Sequence, residues 1–206
     1  MDRMLTGFQK LDRAMGGLFA DRACLFHGPA GSGKTTLSMR FLSTGIEAGQ
    51  AGVLVTTTPV AHLTGQAELA GLDLHGAMEA GLLAVVEPPV DGTFLTPETV
   101  AERFLEVRRT VGSISAERLA LDHAADWLLV QTLDEAARQC FSLVRALERL
   151  DLTPLITLPE PASEGSRKVL EVFRGNVPLA VRLSPPDTPG GPVRAEVEKL
   201  LGQTVP

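Results

Sequence analysis

The chain has 206 residues, a formal net charge of −6, 44% hydrophobic residues and 21% charged residues. This length suffices for one domain with a sizeable core, and the composition is typical of a globular protein. The acidic balance argues against a dedicated nucleic-acid-binding protein, and no apolar stretch is long enough to cross a membrane. Because no long apolar run follows Met1, we expect no signal peptide and a cytoplasmic location. In that reducing setting Cys24 and Cys140 are expected to be small core residues rather than ligands or a disulfide.

A glycine-rich loop between an apolar strand and an amphipathic helix is the most informative stretch of the chain. The run at 23–27 predicts a buried strand, and apolar residues at helical spacing follow from Leu37 to Ile46. The residues between them, 28–35, read GPAGSGKT and fit G-x-x-x-x-G-K-[ST], the phosphate-binding loop. The glycines let backbone N–H groups surround phosphate oxygens, Lys34 reaches the β- and γ-phosphates, and the Thr35 hydroxyl can complete a Mg²⁺ shell. This context predicts nucleotide binding, although it does not indicate what the nucleotide is for.

The chain beyond this helix alternates predicted strands with predicted helices. Strands are predicted at 52–57, 82–86, 119–122 and 154–158. Helices are predicted at about 60–70, at 73–80, from Thr96 and Pro97 as N-cap and first position, and from a capping box at 132–135. Such alternation predicts a parallel sheet covered on both faces, with ligands beyond the carboxyl ends of the strands.

The C-terminal part of the chain is expected to add antiparallel strands. We expect 169–173 and 177–183 to form a pair of edge strands joined at Gly175 and Asn176. The stretch from Ser184 to Pro192 is predicted to be a loop before a short terminal helix. The predicted organisation is a single domain over 1–206. It comprises an N-terminal segment at 1–20, a nucleotide-binding core at 21–160, and edge strands with a terminal helix at 161–206.

The fourth predicted strand supplies a second half for the nucleotide site. Leu119 to Asp122 is a buried run that ends in a carboxylate, as in a Walker B element, and Asp122 can hold Mg²⁺ there. Asp126 is a weaker rival for the metal role. His123 follows Asp122 directly and is interpreted as a polar neighbour of the site rather than a catalytic group.

These motifs resemble those of KaiC-type domains of the RecA-like ATPases. The likeness is strongest in the opening third, at Thr6-Gly7, Leu11-Asp12, Gly16-Gly17 and Gly28 to Thr36. It continues at 70–83 and at 119–122. It is looser in the last third, at 169–175, which looks like the late strand ending in Arg-Gly, and at Gly190-Gly191. The nucleotide-binding residues predicted from the motif and the resemblance are Gly28, Pro29, Ala30, Gly31, Ser32, Gly33, Lys34, Thr35 and Thr36.

The resemblance implies a RecA-like P-loop NTPase fold, an α/β core whose mostly parallel sheet is flanked by helices and ends in antiparallel edge strands. It implies ATP or ADP as the ligand, with Mg²⁺ held by Thr35 and Asp122. It also implies a homo-oligomer, because members commonly form hexameric rings that bind ATP between subunits, and a regulatory role with a protein partner that the sequence does not identify.

Three departures from the family pattern bear on activity. The family has one or two Glu at the end of the second strand, where they activate the attacking water, whereas this chain has Thr56-Thr57-Thr58 there. The late strand often reads Lys-x-Arg-Gly, whereas Val172 stands in the lysine position before Arg174. The segment from Glu160 to Lys168 is shorter than the family's hairpin and loop. A threonine hydroxyl is a poor base near neutral pH, so the general-base role has no obvious occupant.

Three functions remain open from the sequence. The favoured one is an ATP-binding regulatory domain whose nucleotide is a conformational or assembly switch, with weak or absent hydrolysis; binding for stability alone is its simplest form. The second is an active ATPase with a relocated base, for which Glu68, Glu87 and Glu160 are candidates. The third, a recombinase-like DNA-binding motor, is disfavoured because its only basic pairs are Arg108-Arg109 and Arg167-Lys168. Arg174 either acts in trans on a neighbour's γ-phosphate or pairs with Glu171 or another carboxylate of its own chain.

Overall fold

A computed structural model of the chain describes residues 2–87, 97–128, 132–188, 191 and 193–201. Its strands are β1 (Arg3–Met4), β2 (Leu18–Phe19), β3 (Cys24–Gly28), β4 (Gly52–Val55), β5 (Leu83–Val86), β6 (Arg118–Leu121), β7 (Thr153–Pro159), β8 (Leu179–Ser184) and β9 (Arg194–Leu200). Its helices are α1 (Gln9–Met15), α2 (Lys34–Glu47), α3 (Val60–Leu69), α4 (Leu74–Glu79), α5 (Pro97–Ile114), α6 (Leu133–Glu148) and α7 (Glu164–Asn176), with a 3-10 turn at Ala124–Trp127.

A seven-stranded sheet forms the centre of the molecule, in the order β5-β4-β6-β7-β3-β8-β9. Every neighbouring pair is parallel except β8 and β9. Strand β3, which leads into the glycine-rich loop, is separated from β6 by β7. A mostly parallel sheet flanked by helices, with antiparallel strands at the C-terminal end, confirms the predicted fold class.

Helices cover both faces of the sheet because successive side chains of a strand point to opposite sides. Along β3, Phe26 packs in the core cluster that includes residues of α1 to α4, whereas Leu25 packs in the cluster with α5, α6 and α7. Cys24 and Cys140 are buried and free, as predicted, and burial raises the pKa of each thiol to about 12. None of the described helices is long and apolar enough to cross a bilayer.

The prediction for the C-terminal part of the chain is wrong in two places. Residues 169–173 lie in helix α7, not in an edge strand, because the Ser163 capping box begins a helix that buries Val169 and Phe173 one turn apart. The partner of β8 is β9, which occupies the place of the predicted terminal helix. Its charge-rich sequence is tolerated because an edge strand leaves one side in solvent, so pairing with β8 overrides local propensity.

The remaining predicted elements are present with small shifts at their ends. Strand β4 ends at Val55, two residues before the predicted end, and α5 begins at Pro97 as expected. Thr132 and Glu135 form both hydrogen bonds of the predicted capping box. The predicted N-cap Thr96 and Gly190 of the Gly190-Gly191 pair lie outside the described residues.

Candidate functional site

The loop from Gly28 to Lys34 has the backbone geometry that its glycines predict. Gly31 and Gly33 have φ values of 75° and 83°, in the left-handed region that favours glycine. Gly33 is the N-cap of α2, and no side chain caps this end of the helix. The first N–H groups of α2 are therefore free to receive an anion, and the helix dipole favours negative charge there.

The Lys34 ammonium is buried and lies within this loop. Its Nζ donates to the carbonyl oxygens of Gly28 and Pro29, at 2.8 Å each, and to Ser32 Oγ at 3.5 Å. Burial lowers the pKa of Lys34, and the charges of Asp122 and Glu160 oppose that shift. The chain therefore holds a cation at the position where the motif places the phosphates.

Asp122 is fully buried at the end of β6, and hydroxyl groups from two other elements orient its carboxylate. Thr35 Oγ1 donates to Oδ2 at 2.8 Å and Thr157 Oγ1 donates to Oδ1 at 2.6 Å. A hydroxyl and a carboxylate side by side are the few protein oxygens that Mg²⁺ takes when it also binds phosphates, so the pair predicted for the metal fits it. The sequence motifs do not single out Thr157, although a threonine inside the apolar run of β7 is a detectable signal.

His123 takes an unusual backbone conformation beside this carboxylate. Its φ of 59° lies in the left-handed region, and its Nδ1 lies 3.5 Å from Asp122 Oδ2. Burial opposes ionisation of Asp122, but hydrogen bonds from His123, Thr157 and Thr35 outweigh it and lower the pKa of this carboxyl. The hydrogen bond to Asp122 raises the pKa of His123 above 6.5, against the effect of burial.

Removing the His123 charge is expected to destabilise the metal-free protein more in mild acid than in mild base. A raised folded-state pKa contributes stability that is complete below the unfolded value of 6.5 and is lost as pH rises through the folded value. Asp122, with a lowered pKa, stays ionised across that range. His123→Asn, which tolerates the left-handed backbone, should therefore lower the melting temperature by roughly a few degrees more at about pH 5.5 than at about pH 8.5.

Thermal melts in EDTA measure this difference. His62→Ala, which removes an exposed imidazole on α3, is the control for loss of a histidine away from Asp122. Equal losses of melting temperature at the two pH values in His123→Asn would show that the ion pair does not stabilise the fold.

The end of β4, where the family carries its catalytic Glu, is organised by threonine hydroxyls. Thr56 is buried, and its Oγ1 accepts a hydrogen bond from the backbone N–H of Thr58 at 3.1 Å. Thr57 is exposed, and its Oγ1 donates to Asp126 Oδ2 at 3.1 Å. Asp126, which the sequence suggests only as a rival metal ligand, therefore lies beside the position of the absent Glu.

The three glutamates predicted as substitute bases lie in environments that differ from the end of β4. Glu87 Oε1 accepts from the backbone N–H of Val60 at 2.6 Å, at the start of α3. Glu160 pairs with Arg182 of β8 at 2.6 Å, and its backbone N–H donates to the Gly28 carbonyl. Glu68 is exposed near the C-terminal end of α3, a helix that starts at the carboxyl edge of the sheet and runs away from it. The structure thus places Glu160 at the phosphate loop and engages Glu87 elsewhere.

Arg174 lies in the last turn of α7, so its assignment to a late strand is wrong. Its Nη1 is 3.4 Å from Glu198 Oε2, which agrees with pairing to a carboxylate of its own chain. Lys199 lies near the end of β9, the last strand among the described residues. In the sequence it is followed by Leu200-Leu201-Gly202, so the lysine and glycine of the Lys-x-Arg-Gly pattern occur at 199–202 with Leu201 in place of arginine. Action of Arg174 on a neighbouring subunit stays a prediction.

An apolar cavity of about 680 Å³ opens beside the phosphate loop. Gly33 and Thr36 border it on the loop side, and helix α1, whose Asp12 accepts hydrogen bonds from Thr6 and Gly7 of the preceding turn, borders it on another side. The apolar residues that line it come from α1 and its N-cap, α2, β8 and the β9 region: Phe8, Leu11, Ala14, Leu37, Leu183, Val193, Ala195 and Val197. A base and ribose extending from phosphates in the loop would fit such a space.

Comparisons with known proteins agree with this architecture. The family model for the KaiC ATPase matches residues 4–189. A UPF0273 protein of Methanopyrus kandleri is 30% identical over 169 residues, which cover 76% of this chain and 66% of that protein. The circadian clock oscillator protein KaiC of a Nostoc species is 28% identical over 186 residues, which cover 86% of this chain and 36% of that protein. The chain thus spans less than two thirds of the length of these two curated relatives.

Proposed function

Since the chain belongs to the KaiC ATPase family, we propose that it binds Mg-ATP in the loop from Gly28 to Thr36 and that the bound nucleotide acts as a conformational or assembly switch. In this proposal hydrolysis is weak or absent. Thr35 and Asp122 hold the Mg²⁺, and Lys34 contacts the β- and γ-phosphates.

The observation that carries this proposal is the preformed arrangement of charge around the loop. Lys34 already lies among the loop carbonyls, and Thr35 is already bonded to the buried Asp122 carboxylate. A buried cation and a buried anion on either side of a helix N-terminus carry a large desolvation cost, which a bound Mg²⁺–triphosphate would offset. A glycine-rich turn with a purely structural role would not need this pair.

Weak hydrolysis follows from the end of β4. Positioning and charge stabilisation by the loop and Mg²⁺ lower the barrier for phosphoryl transfer without a base, but general-base catalysis typically adds about 10²–10⁴-fold. The run Thr56-Thr57-Thr58 stands where the family has a carboxylate, and Glu87 accepts a hydrogen bond at the start of α3. We therefore expect bound ATP to be hydrolysed slowly.

The contact between the loop and β8 supports a switch. A Cβ on Gly28 would collide with the carbonyl oxygen of Leu183, so the first residue of the loop is packed directly against β8. The negative charge of Glu160 acts on Lys34 by raising its pKa, and Glu160 also forms an ion pair with Arg182 of β8. A nucleotide that draws Lys34 away from Gly28 and Pro29 would change these contacts with β8 and so the position of the β8–β9 pair. If the nucleotide binds one position of the pair more tightly than the other, it shifts the equilibrium between them.

Sedimentation velocity of the protein without nucleotide, with Mg-ADP and with Mg-ATP tests the switch. The expected result is a nucleotide-dependent distribution of oligomers or of frictional ratio, with phosphate release that is slow on the timescale of the run. Lys34→Ala should give the nucleotide-free distribution in all three conditions. Identical distributions under demonstrated ATP saturation would rule out an assembly or shape switch.

Filling the apolar cavity is expected to weaken binding of ATP but not of tripolyphosphate. Ala14 is exposed on α1 and borders the cavity, so Ala14→Phe places a ring where the base and ribose would lie. We expect at least a tenfold rise in the Kd of Mg-ATP, about 1.4 kcal/mol. Titration calorimetry with both ligands measures the effect.

The matched control is Ala101→Phe, at an exposed position of α5 away from the cavity. It should leave both affinities unchanged. Equal weakening of ATP and tripolyphosphate in Ala14→Phe would mean that the substitution disturbs the loop, and unchanged affinities would mean that the nucleoside lies elsewhere.

A further inference from the structure

The turn after β6 is built to hold one exposed carboxylate at a fixed place. The left-handed backbone at His123 redirects the chain, and the 3-10 turn that follows is anchored by the buried side chains of Ala124 and Trp127. Between these two anchors Asp126 is exposed, and its backbone N–H donates to the carbonyl of His123 at 3.0 Å. The backbone that carries Asp126 is therefore constrained, although its carboxylate is open to solvent.

The neighbouring strand fixes where this carboxylate lies. Strands β4 and β6 are parallel neighbours with Val55 opposite Leu121, and the N–H of Asp122 extends the pairing by donating to the Val55 carbonyl at 2.8 Å. Thr57 is two residues beyond Val55, and its hydroxyl donates to Asp126 Oδ2. The carboxylate of Asp126 is thus held over the end of β4, one strand spacing, about 4.8 Å, from the end of β6, where Asp122 meets Thr35.

We propose that Asp126 is the carboxylate that orients and deprotonates the water attacking the γ-phosphate, an inference that rests on the proposed binding of Mg-ATP. The hydroxyl of Thr57 occupies Oδ2 and leaves Oδ1 to accept a hydrogen bond from the water. The water oxygen forms a bond to the γ-phosphorus as the bond from that phosphorus to the β–γ bridging oxygen breaks. The electron pair of that bond leaves with ADP, and the proton of the water passes to Asp126 and then to solvent.

This assignment explains the slow turnover proposed above. An aspartate that reaches across from the neighbouring strand and is open to bulk water positions the attacking water less tightly than a Glu on the strand end itself, so Asp126 supplies a residual rate. Among the described residues, Asp126 is the carboxylate that accepts a hydrogen bond from the threonine run at 56–58.

The test compares Asp126→Asn with wild type in single-turnover phosphate release and in ATP and ADP affinity. The amide keeps the shape and the contact with Thr57 but cannot take a proton. We expect turnover to fall about 100-fold with both affinities within twofold of wild type. We also expect Asp126→Asn to lose stable trapping of Mg-ADP with aluminium fluoride, a readout that does not depend on turnover.

A second variant separates a catalytic role from a structural one. Thr57 is the exposed residue between Thr56 and Thr58 in the run that replaces the family's Glu, so adding Thr57→Glu to Asp126→Asn should restore turnover at least tenfold. Glu79→Gln, which removes an exposed carboxylate at the end of α4, is the control and should match wild type.

The outcomes distinguish this inference from the proposed function. Turnover of Asp126→Asn within threefold of wild type, a loss matched by weaker affinity, or no recovery in the double variant overturns the role of Asp126. Wild type that binds ATP but releases no more phosphate than Lys34→Ala also overturns it, while the proposed ATP switch stands. Failure of wild type to bind Mg-ATP overturns both.

Discussion

Lys34→Ala is expected to weaken Mg-ATP binding by at least about 100-fold. The ammonium makes charged hydrogen bonds in the loop, and each such bond to phosphate would contribute roughly 1.5–3 kcal/mol. Its loss also leaves the loop without a buried positive charge near Asp122 and Glu160, so phosphate oxygens would enter a more negative site. Titration calorimetry with Mg-ATP measures the change in Kd.

Two controls keep this result interpretable. Lys168→Ala removes an exposed lysine of α7 that pairs with Glu171, and it should leave the Kd unchanged. Circular dichroism and the fluorescence of Trp127 establish that Lys34→Ala is folded, because that tryptophan is buried next to the site. A Kd within threefold of wild type in a folded Lys34→Ala protein would contradict phosphate binding by this loop.

The conformation of the glycine-rich loop could be predicted because it depends on residues that are close together in the sequence. The turn of this loop requires glycines in the left-handed conformation at fixed spacing from the lysine and the hydroxyl. The structure has Gly31 and Gly33 in that conformation and Lys34 inside the loop. Asp122 could also be predicted, since a carboxylate after an apolar strand emerges at the ligand edge of a parallel sheet.

The partners of Asp122 and Thr57 could not be predicted in the same way. Thr157 reaches Asp122 because β7 lies between β3 and β6, a strand order that no local pattern encodes. Asp126 reaches Thr57 because His123 adopts a left-handed conformation. This conformation is uncommon for residues other than glycine, so the sequence does not predict it at His123. The Asp122–Thr157 and Thr57–Asp126 contacts join residues 35 and 69 positions apart and depend on topology, so they follow only from the folded chain.

The error at the C-terminal end has a different physical origin. The run Val169-Leu170-Glu171-Val172-Phe173 is rich in β-branched and aromatic residues, which favours a strand by propensity. The capping box at Ser163 and the burial of Val169 and Phe173 one turn apart select the helix instead. Packing of α7 on the sheet face that α5 and α6 also cover therefore selects the helical pattern over the strand pattern.

Asp122→Asn is expected to remove the Mg²⁺ dependence of ATP binding. Wild type should bind ATP at least tenfold more tightly with Mg²⁺ than with EDTA, about 1.4 kcal/mol, because Thr35 and Asp122 present oxygen ligands next to the phosphates. The asparagine keeps the size of the side chain and its contacts with the hydroxyls of Thr35 and Thr157, because a hydroxyl can donate to the amide oxygen or accept from the amide nitrogen. Without the negative charge, however, it is a poor ligand for a hard divalent cation, so the ratio of the two Kd values should approach one.

Asp126→Asn is the matched control for this experiment, because it removes a carboxylate four residues along the same turn without touching Thr35. Its Mg²⁺ dependence should equal that of wild type, which separates the metal role of Asp122 from the role proposed for Asp126. If the Mg²⁺ dependence is lost in Asp126→Asn and stays intact in Asp122→Asn, the two carboxylates have exchanged roles. The buried position of Asp122 between two hydroxyls favours the metal role for that residue, and the exposed position of Asp126 beside Thr57 favours contact with water.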